Sequence, residues 1–298
     1  MAWSINEVGS QSGRIAIVTG ANVGLGYDTA LALASKDCTV VLACRNLDKG
    51  KAAKARILAA HPRANVQCMA LDLSSLKSVK SFTQKFNANY AQLDLLINNA
   101  GIMTPPFSLS EDGFESQLSA NYLGHFALTA QLIKKLVGTE GSRIVSLSSL
   151  AHSFGRIRLD DPHFKLGYDK RAAYGQSKLA CLMFAYELNR RLKASGRATL
   201  SVAAHPGFAA TNLDQHLPLI LGFLFPMMGQ SAAAGCLPTL YAALGADIQG
   251  GDYCGPNGLG QMRGKPVKVG SNRASRDQAV AARLWELSEE MTGVKFQI

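Results

Sequence analysis

Tyr174 and Lys178, within "AAYGQSKLA", stand four residues apart in a stretch with a helical period. That spacing puts both on one helix face, a turn apart. A tyrosine hydroxyl beside an ammonium can give and recover a proton, because the cation stabilises the phenolate. An isolated tyrosine titrates near ~10, so acid–base work near neutral pH asks for roughly 4 kcal/mol of such help. A pair this short arises by chance, so its meaning depends on what accompanies it. Upstream lie Asn121 in "SANYLGHF" and two serines, Ser148 and Ser149, that close the apolar run "IVSLSS". A serine hydroxyl at such a place can polarise a substrate oxygen.

A second constellation handles phosphate. "TGANVGLG" (Thr19 to Gly26) spaces Gly20, Gly24 and Gly26 between a β-branched run and a helical segment. Glycines there let backbone N–H groups and a helix N-terminus approach a pyrophosphate. The position after the first strand is the context that such a loop needs. The next strand decides the nucleotide. An acid about twenty residues beyond the glycines would bind ribose hydroxyls and repel a 2′-phosphate. Here "VVLACRN" ends in Arg45 instead. Its planar fork suits phosphate, so the expected cofactor is NADP(H), preferred over NAD(H).

The elements that must position these residues alternate along the chain. "RIAIVT", "TVVLAC", "VQCMAL", "LDLLIN", "RIVSLS" and "TLSVAAH" read as buried parallel strands, with a seventh near Gly251 to Cys254. Ala- and Leu-rich helical segments lie between them. The expected class is α/β, a single-domain Rossmann fold over residues 1–298, its doubly wound parallel sheet of about seven strands covered by helices on both faces. Two stretches break the rhythm, Leu150 to Arg171 and Phe208 to Gln230. Loops of this length usually have a function. "GGDYCGPNGLG" follows no strand–helix pattern and reads as a loop rather than a second nucleotide site.

Composition narrows the class. The 298 residues are 47% hydrophobic, which fits a buried core rather than disorder. A net charge of +10 raises nucleic acid as a partner, but the basic residues are scattered. The densest run, "KGKAAKAR", has no interleaved aromatics, and a solvated helix face that attracts an anionic cofactor is the better reading. Six cysteines without a C-x-x-C pair suit buried thiols in a reducing compartment, not a metal site. "LPLILGFLFPMM" (Leu217 to Met228) is too short to span a bilayer, and "MAWSINEVGSQSG" lacks a secretion signal's charge-then-apolar order. The expectation is a cytoplasmic chain with no metal and no nucleic-acid partner.

Taken together, Thr19–Gly26, Asp72, Asn98–Gly101, Asn121, Ser149, Tyr174-x-x-x-Lys178 and Pro206-Gly207 resemble, in their order, the short-chain dehydrogenase/reductase family over nearly the whole chain. "VLACRN", "NYLGHFALT", "SSLAH" and "HPG" are most similar to the branch of retinol dehydrogenases and protochlorophyllide reductases. The resemblance implies Asn121, Ser149, Tyr174 and Lys178 as the catalytic set. Tyr174 is then general acid/base, Lys178 its tuner, Ser149 the polarising donor, and Asn121 the holder of a proton-relaying water. It implies cofactor contacts from Gly20, Asn22, Gly24, Leu25, Gly26, Arg45, Asp72, Leu73, Asn99, Ala100, Gly101, Tyr174, Lys178, Pro206 and Gly207. The apolar anchor of many retinol dehydrogenases is not seen at the N-terminus, and Val23 stands where a polar residue is often found.

By the same resemblance, residues 208–230 would form an apolar substrate loop or lid. A small apolar carbonyl or alcohol is the expected substrate. Packing on the protein, a homo-oligomer contact or peripheral membrane contact explains that apolar segment equally well. Ser148 would cap or pack. Asp72 reads as either an adenine contact or a helix N-cap, and Asn98 as sheet support or cleft lining. His125 reads as a helix residue satisfied locally, and His205 is given no chemistry. Two other functions share the scaffold. A non-catalytic nucleotide sensor is disfavoured by the intact catalytic set. A nucleotide-sugar epimerase or dehydratase is disfavoured by the glycine spacing and the short C-terminal part.

Overall fold

The structure, a computed structural model, describes residues 3–208 and 230–298. The apolar run Leu217 to Met228, assigned above to a substrate wall, lies outside the described residues.

Eight strands form one sheet in the order β3-β2-β1-β4-β5-β6-β7-β8. They are β1 (Ile15–Thr19), β2 (Thr39–Cys44), β3 (Val66–Ala70), β4 (Leu95–Asn98), β5 (Arg143–Leu147), β6 (Leu200–Ala204), β7 (Tyr253–Pro256) and β8 (Pro266–Lys268). All neighbours are parallel except β7 and β8. The first six strands fall where the apolar runs place them, and the α/β class is as expected; β3, expected to be buried, forms the sheet edge and buries only Val66. The eighth strand was not foreseen. It has three residues, begins at Pro266 and pairs antiparallel at the sheet edge, where proline is tolerated and apolar patterning is weak. It also makes a strand partner of part of the glycine-rich stretch read as loop.

Helices cover both faces. α1 (Gly24–Ala34), α2 (Leu47–Ala60) and α6 (Leu237–Leu244) bury Leu33, Ile57 and Leu240 in one core layer. α3 (Leu76–Asn89), α4 (Gly124–Val137), α5 (Lys170–Ala194) and α7 (Gln278–Thr292) bury Phe82, Phe126, Phe184 and Trp285 in the other. Trp285 on α7 lies 5.1 Å from the Phe126 ring and 4.4 Å from Phe296, which closes this layer from outside. Local chemistry marks the starts. Asn46 caps α2 through Lys49 N, Ser75 caps α3 through Ser78 N, and Asp169 caps α5 through Arg171 N and Ala172 N. α1 has no side-chain cap.

The chain reverses its winding between β1 and β4. In open α/β sheets, a crevice forms at such a point beyond the carboxyl ends of the strands. The register aligns those ends, pairing Val18 with Ile97 and Asn98 with Ser146. The phosphate loop, "INNAG" and the serine pair thereby meet on one edge.

Candidate active site

A cleft of about 440 Å³ runs along this edge. Gly20, Asn22, Gly24, Leu25, Gly26, Arg45, Asp72, Leu73, Asn99, Ala100 and Gly101 line it, as do Asn46, Lys49, Ile102, Met103, Pro105 and Ala120. Ser149, Tyr174, Lys178, Pro206 and Gly207 are not part of that lining. Sequence reasoning placed Lys49 in a basic run that attracts an anionic cofactor but did not single it out, because charge alone does not say which residue of a helix face meets the cleft. Ile102 to Pro105 follow "INNAG" directly, and that adjacency was the available signal.

Bare backbone makes the phosphate end. An added Cβ at Gly26 would lie 2.5 Å from both Gly20 O and Asn99 Nδ2, so α1 can start this close to β1 only without a side chain. Thr19 then ties the first strand to the fourth. Its Oγ1 accepts from Asn99 N and Ala100 N, both at 2.9 Å, while Asn99 Nδ2 donates to Thr19 O at 2.7 Å. At the other end, Arg45 and Lys49 are exposed around the start of α2. Asp72 accepts from Ser74 N at 2.9 Å, and the N-cap of α3 falls to Ser75 instead.

Asn121 and Lys178 converge beside Gly101. A Cβ there would lie 3.1 Å from Asn121 Oδ1 and 3.3 Å from Lys178 Nζ. Asn121 sits in a π-helical turn (Ser119–Leu123) just before α4, a departure from the plain helix the sequence suggested. Its side chain makes three bonds: Oδ1 accepts from Ile102 N at 2.7 Å, with a second lone pair left over, while Nδ2 donates to Ile102 O at 3.0 Å and Ser177 Oγ at 2.9 Å. Lys178 is 6% exposed, and its Nζ donates to Leu147 O at 3.2 Å and lies 5.9 Å from the Tyr174 ring centroid. Among the described residues no carboxylate pairs with it. Tyr174 is half-buried.

The two serines separate cleanly. Ser148 is 2% exposed and donates to Lys178 O at 2.8 Å, pinning α5 to the end of β5. Ser149 is half-buried, and its hydroxyl accepts from Ala151 N at 3.2 Å, capping a short turn. Its carbonyl faces His152 Nδ1 at 2.7 Å. His205 organises the stretch after β6. Gly207 N donates to His205 Nδ1 at 3.2 Å, so the ring proton belongs on Nε2, which donates to Gln261 Oε1 at 3.0 Å. Burial first, then the nearby His152, lowers this imidazole to about 4. Asn98 is buried at the sheet end and donates to Thr129 Oγ1 at 3.1 Å, leaving the lining role to Asn99.

Known proteins share this arrangement of chain. A family model described as short chain dehydrogenase matches residues 14–219. Human retinol dehydrogenase 13 (Homo sapiens) is 40% identical over 295 residues, covering 95% of this chain and 86% of that protein. The short-chain dehydrogenase TIC 32 B, chloroplastic, of Brassica napus is 38% identical over 290 residues, covering 92% and 87%. A crystal structure of an uncharacterized protein from Mycobacterium Paratuberculosis matches with a TM-score of 0.84 at 39% identity, covering 100% of both chains. Relatives at this identity along nearly the whole length mean that the chain belongs to the short chain dehydrogenase family, in its retinol dehydrogenase-like branch, and is an oxidoreductase.

Proposed function

We propose that this protein interconverts a small apolar aldehyde or ketone and its alcohol with NADP(H) in preference to NAD(H). The observation that carries the reading is the buried Lys178 ammonium beside Gly101 and Tyr174, with no carboxylate partner among the described residues. A cation removed from water is costly without an anion, and a tyrosine phenolate or a cofactor oxygen would supply one.

The residues fit the cofactor. Backbone without Cβ atoms lines the phosphate end at Gly20 and Gly26, α1 starts without a side-chain cap, and Arg45 and Lys49 supply cationic donors for a 2′-phosphate. Leu25, Asp72, Leu73, Asn99 and Ala100 would hold the remainder, with Asn22 in the loop. Pro206 and Gly207, outside the cleft lining, are assigned to the cofactor by family resemblance alone. When bound, the nicotinamide supplies or takes up the hydride.

Tyr174 Oη gives the proton to the substrate oxygen in reduction and takes it back in oxidation. Lys178 Nζ stabilises the phenolate by its charge. Ser149 Oγ donates to the same substrate oxygen, strengthening as negative charge develops there. Asn121 holds a water near Lys178 through which the proton exchanges with solvent. Ile102, Met103 and Pro105 give the adjoining cleft wall an apolar surface, which supports an apolar substrate. Residues 208–230 are assigned to the substrate side of one domain. This reading takes a small molecule as partner rather than nucleic acid, in a cytoplasmic setting. Among the described residues, no helix is long and apolar enough to cross a membrane.

The test follows NADPH absorbance against a panel of apolar aldehydes, ketones and retinal, with Tyr174→Phe beside the wild type. Turnover in the wild type and a loss of about 10²-fold or more in the variant, with NADPH binding spared, supports the reading. Substantial turnover in Tyr174→Phe removes Tyr174 as the acid.

A further inference from the structure

His125 has no part in the chemistry above, yet it touches two of its supports. The side chain is 4% exposed on α4. Its Nδ1 lies 2.9 Å from Asn121 O, and its Nε2 lies 2.9 Å from Thr19 Oγ1, across 106 residues of sequence. A carbonyl can only accept, so Nδ1 carries the proton and donates to Asn121 O. In the neutral ring Nε2 is then an acceptor, and the Thr19 hydroxyl donates to it. The other acceptor near that hydroxyl, Ile97 O, is further away at 3.3 Å and also receives Asn99 N at 2.9 Å.

This orientation has consequences at both ends. Thr19 has one proton and two lone pairs. With the proton aimed at His125, both lone pairs face the N–H groups of Asn99 and Ala100, which line the cleft. At the other end, the π-turn bonds Gly124 N to Ser119 O, five residues back. Asn121 O is held from the side, by the His125 ring and by Cys181 Sγ at 3.2 Å.

We propose that His125 is a positioning residue: one imidazole, bonded to Thr19 and to Asn121, sets the Asn99–Gly101 cleft wall and the Asn121–Lys178 cluster in register with each other. The proposal deepens the reading above and rests on it for its kinetic consequences. A ring protonated on both nitrogens could not do this, since Thr19 Oγ1 would face three N–H donors with two lone pairs. Burial, with the Lys178 charge adding to it, lowers the imidazole to about 4 and keeps it neutral near pH 7. Thr129, one turn further along α4, is a natural comparison. It is fully buried and bonds Asn98 Nδ2 and His125 O, away from both Thr19 and Asn121.

The test uses the full chain and three variants. His125→Phe keeps a ring and removes both bonds. His125→Gln can restore a donor and an acceptor. Thr129→Val removes a buried hydroxyl from the same helix face. Readouts are thermal midpoint, NADPH dissociation constant by fluorescence, kcat and KM, and the imidazole tautomer of the wild type by ¹⁵N NMR without cofactor. The expected result is an Nδ1–H tautomer, with kcat falling about tenfold and the NADPH dissociation constant rising about tenfold in His125→Phe. His125→Gln recovers most of both, and Thr129→Val loses thermal midpoint but stays within about twofold in kinetics.

Equal kinetic losses in Thr129→Val and His125→Phe, no recovery in His125→Gln, or an Nε2–H tautomer would overturn the proposal. If His125→Phe does not fold, the wild-type tautomer and the His125→Gln kinetics decide it. A wild-type chain that binds no nicotinamide nucleotide overturns the function proposed above instead, and the tautomer still judges His125.

Discussion

Asn121 Nδ2 donates to Ser177 Oγ at 2.9 Å, and Ser177 Oγ donates in turn to Tyr174 O at 2.8 Å. This relay ties the π-turn to the helix that carries Tyr174 and Lys178. Ser177 is fully buried, so Ser177→Ala leaves an amide N–H without its partner away from water. That costs about 1–3 kcal/mol of stability, and the loosened Asn121 lowers kcat several-fold. Thermal melts and steady-state kinetics check both. A variant equal to wild type in each would make the bond dispensable.

The neighbouring serines are expected to fail in opposite ways. Ser148→Ala loses the tie to Lys178 O and destabilises by about 1 kcal/mol, while retaining most turnover. Ser149→Ala loses about 10²-fold in kcat with little change in melting, because its one backbone contact is a half-buried cap. Reversed outcomes would assign the substrate contact to Ser148.

Nucleotide choice is expected to rest on the exposed pair at the start of α2. Arg45→Ala raises the NADPH dissociation constant about tenfold or more and the NADH value less than about twofold. Lys49→Ala gives a smaller effect of the same sign. Both losses shrink as salt is added, because exposed charges are screened. Titrations with each nucleotide at two ionic strengths separate these outcomes, and equal losses for NADPH and NADH would remove the 2′-phosphate assignment.

Acid should destabilise this fold through its buried histidines. His125 and His205 are both lowered to about 4, chiefly by burial, whereas an unfolded histidine titrates near ~6.5. As pH falls from about 6.5 to about 4, the unfolded chain takes up protons that the native chain refuses. Stability therefore falls across that window and is fully present above it. Each ring accounts for about 2 kcal/mol between pH 7 and pH 5. Urea unfolding at the two pH values should show the drop, and His125→Gln should reduce it by its share. An unchanged drop in that variant would mean the folded ring is not held neutral.

Much of this was legible because it is local. Five of the first six strands announced themselves as apolar runs because a parallel strand buried on both faces needs apolar residues throughout, while β3, at the edge with only Val66 buried, showed the weaker run "VQCMAL". The glycine loop was readable because its spacing and its place after β1 are one local fact. β8 was hidden, being three residues at an edge where pairing asks little of side chains. The basic run from Lys49 to Arg56 was legible as a face for an anionic cofactor, but which of its residues meets the cleft was not, because charge along a helix does not say where the cleft lies.

The sequence by itself determined the α/β class, the family resemblance and the identities of the residues gathered at the carboxyl edge, through periodicity and motif order. Only the tertiary structure decided how they divide the work. Ser148 donates to Lys178 O while Ser149 accepts from Ala151 N, and Ser75 rather than Asp72 caps α3. His125 joins residues from β1 and from the turn before α4. These outcomes depend on which lone pairs and protons meet when strands and helices distant in sequence pack together, and spacing along one chain does not encode them.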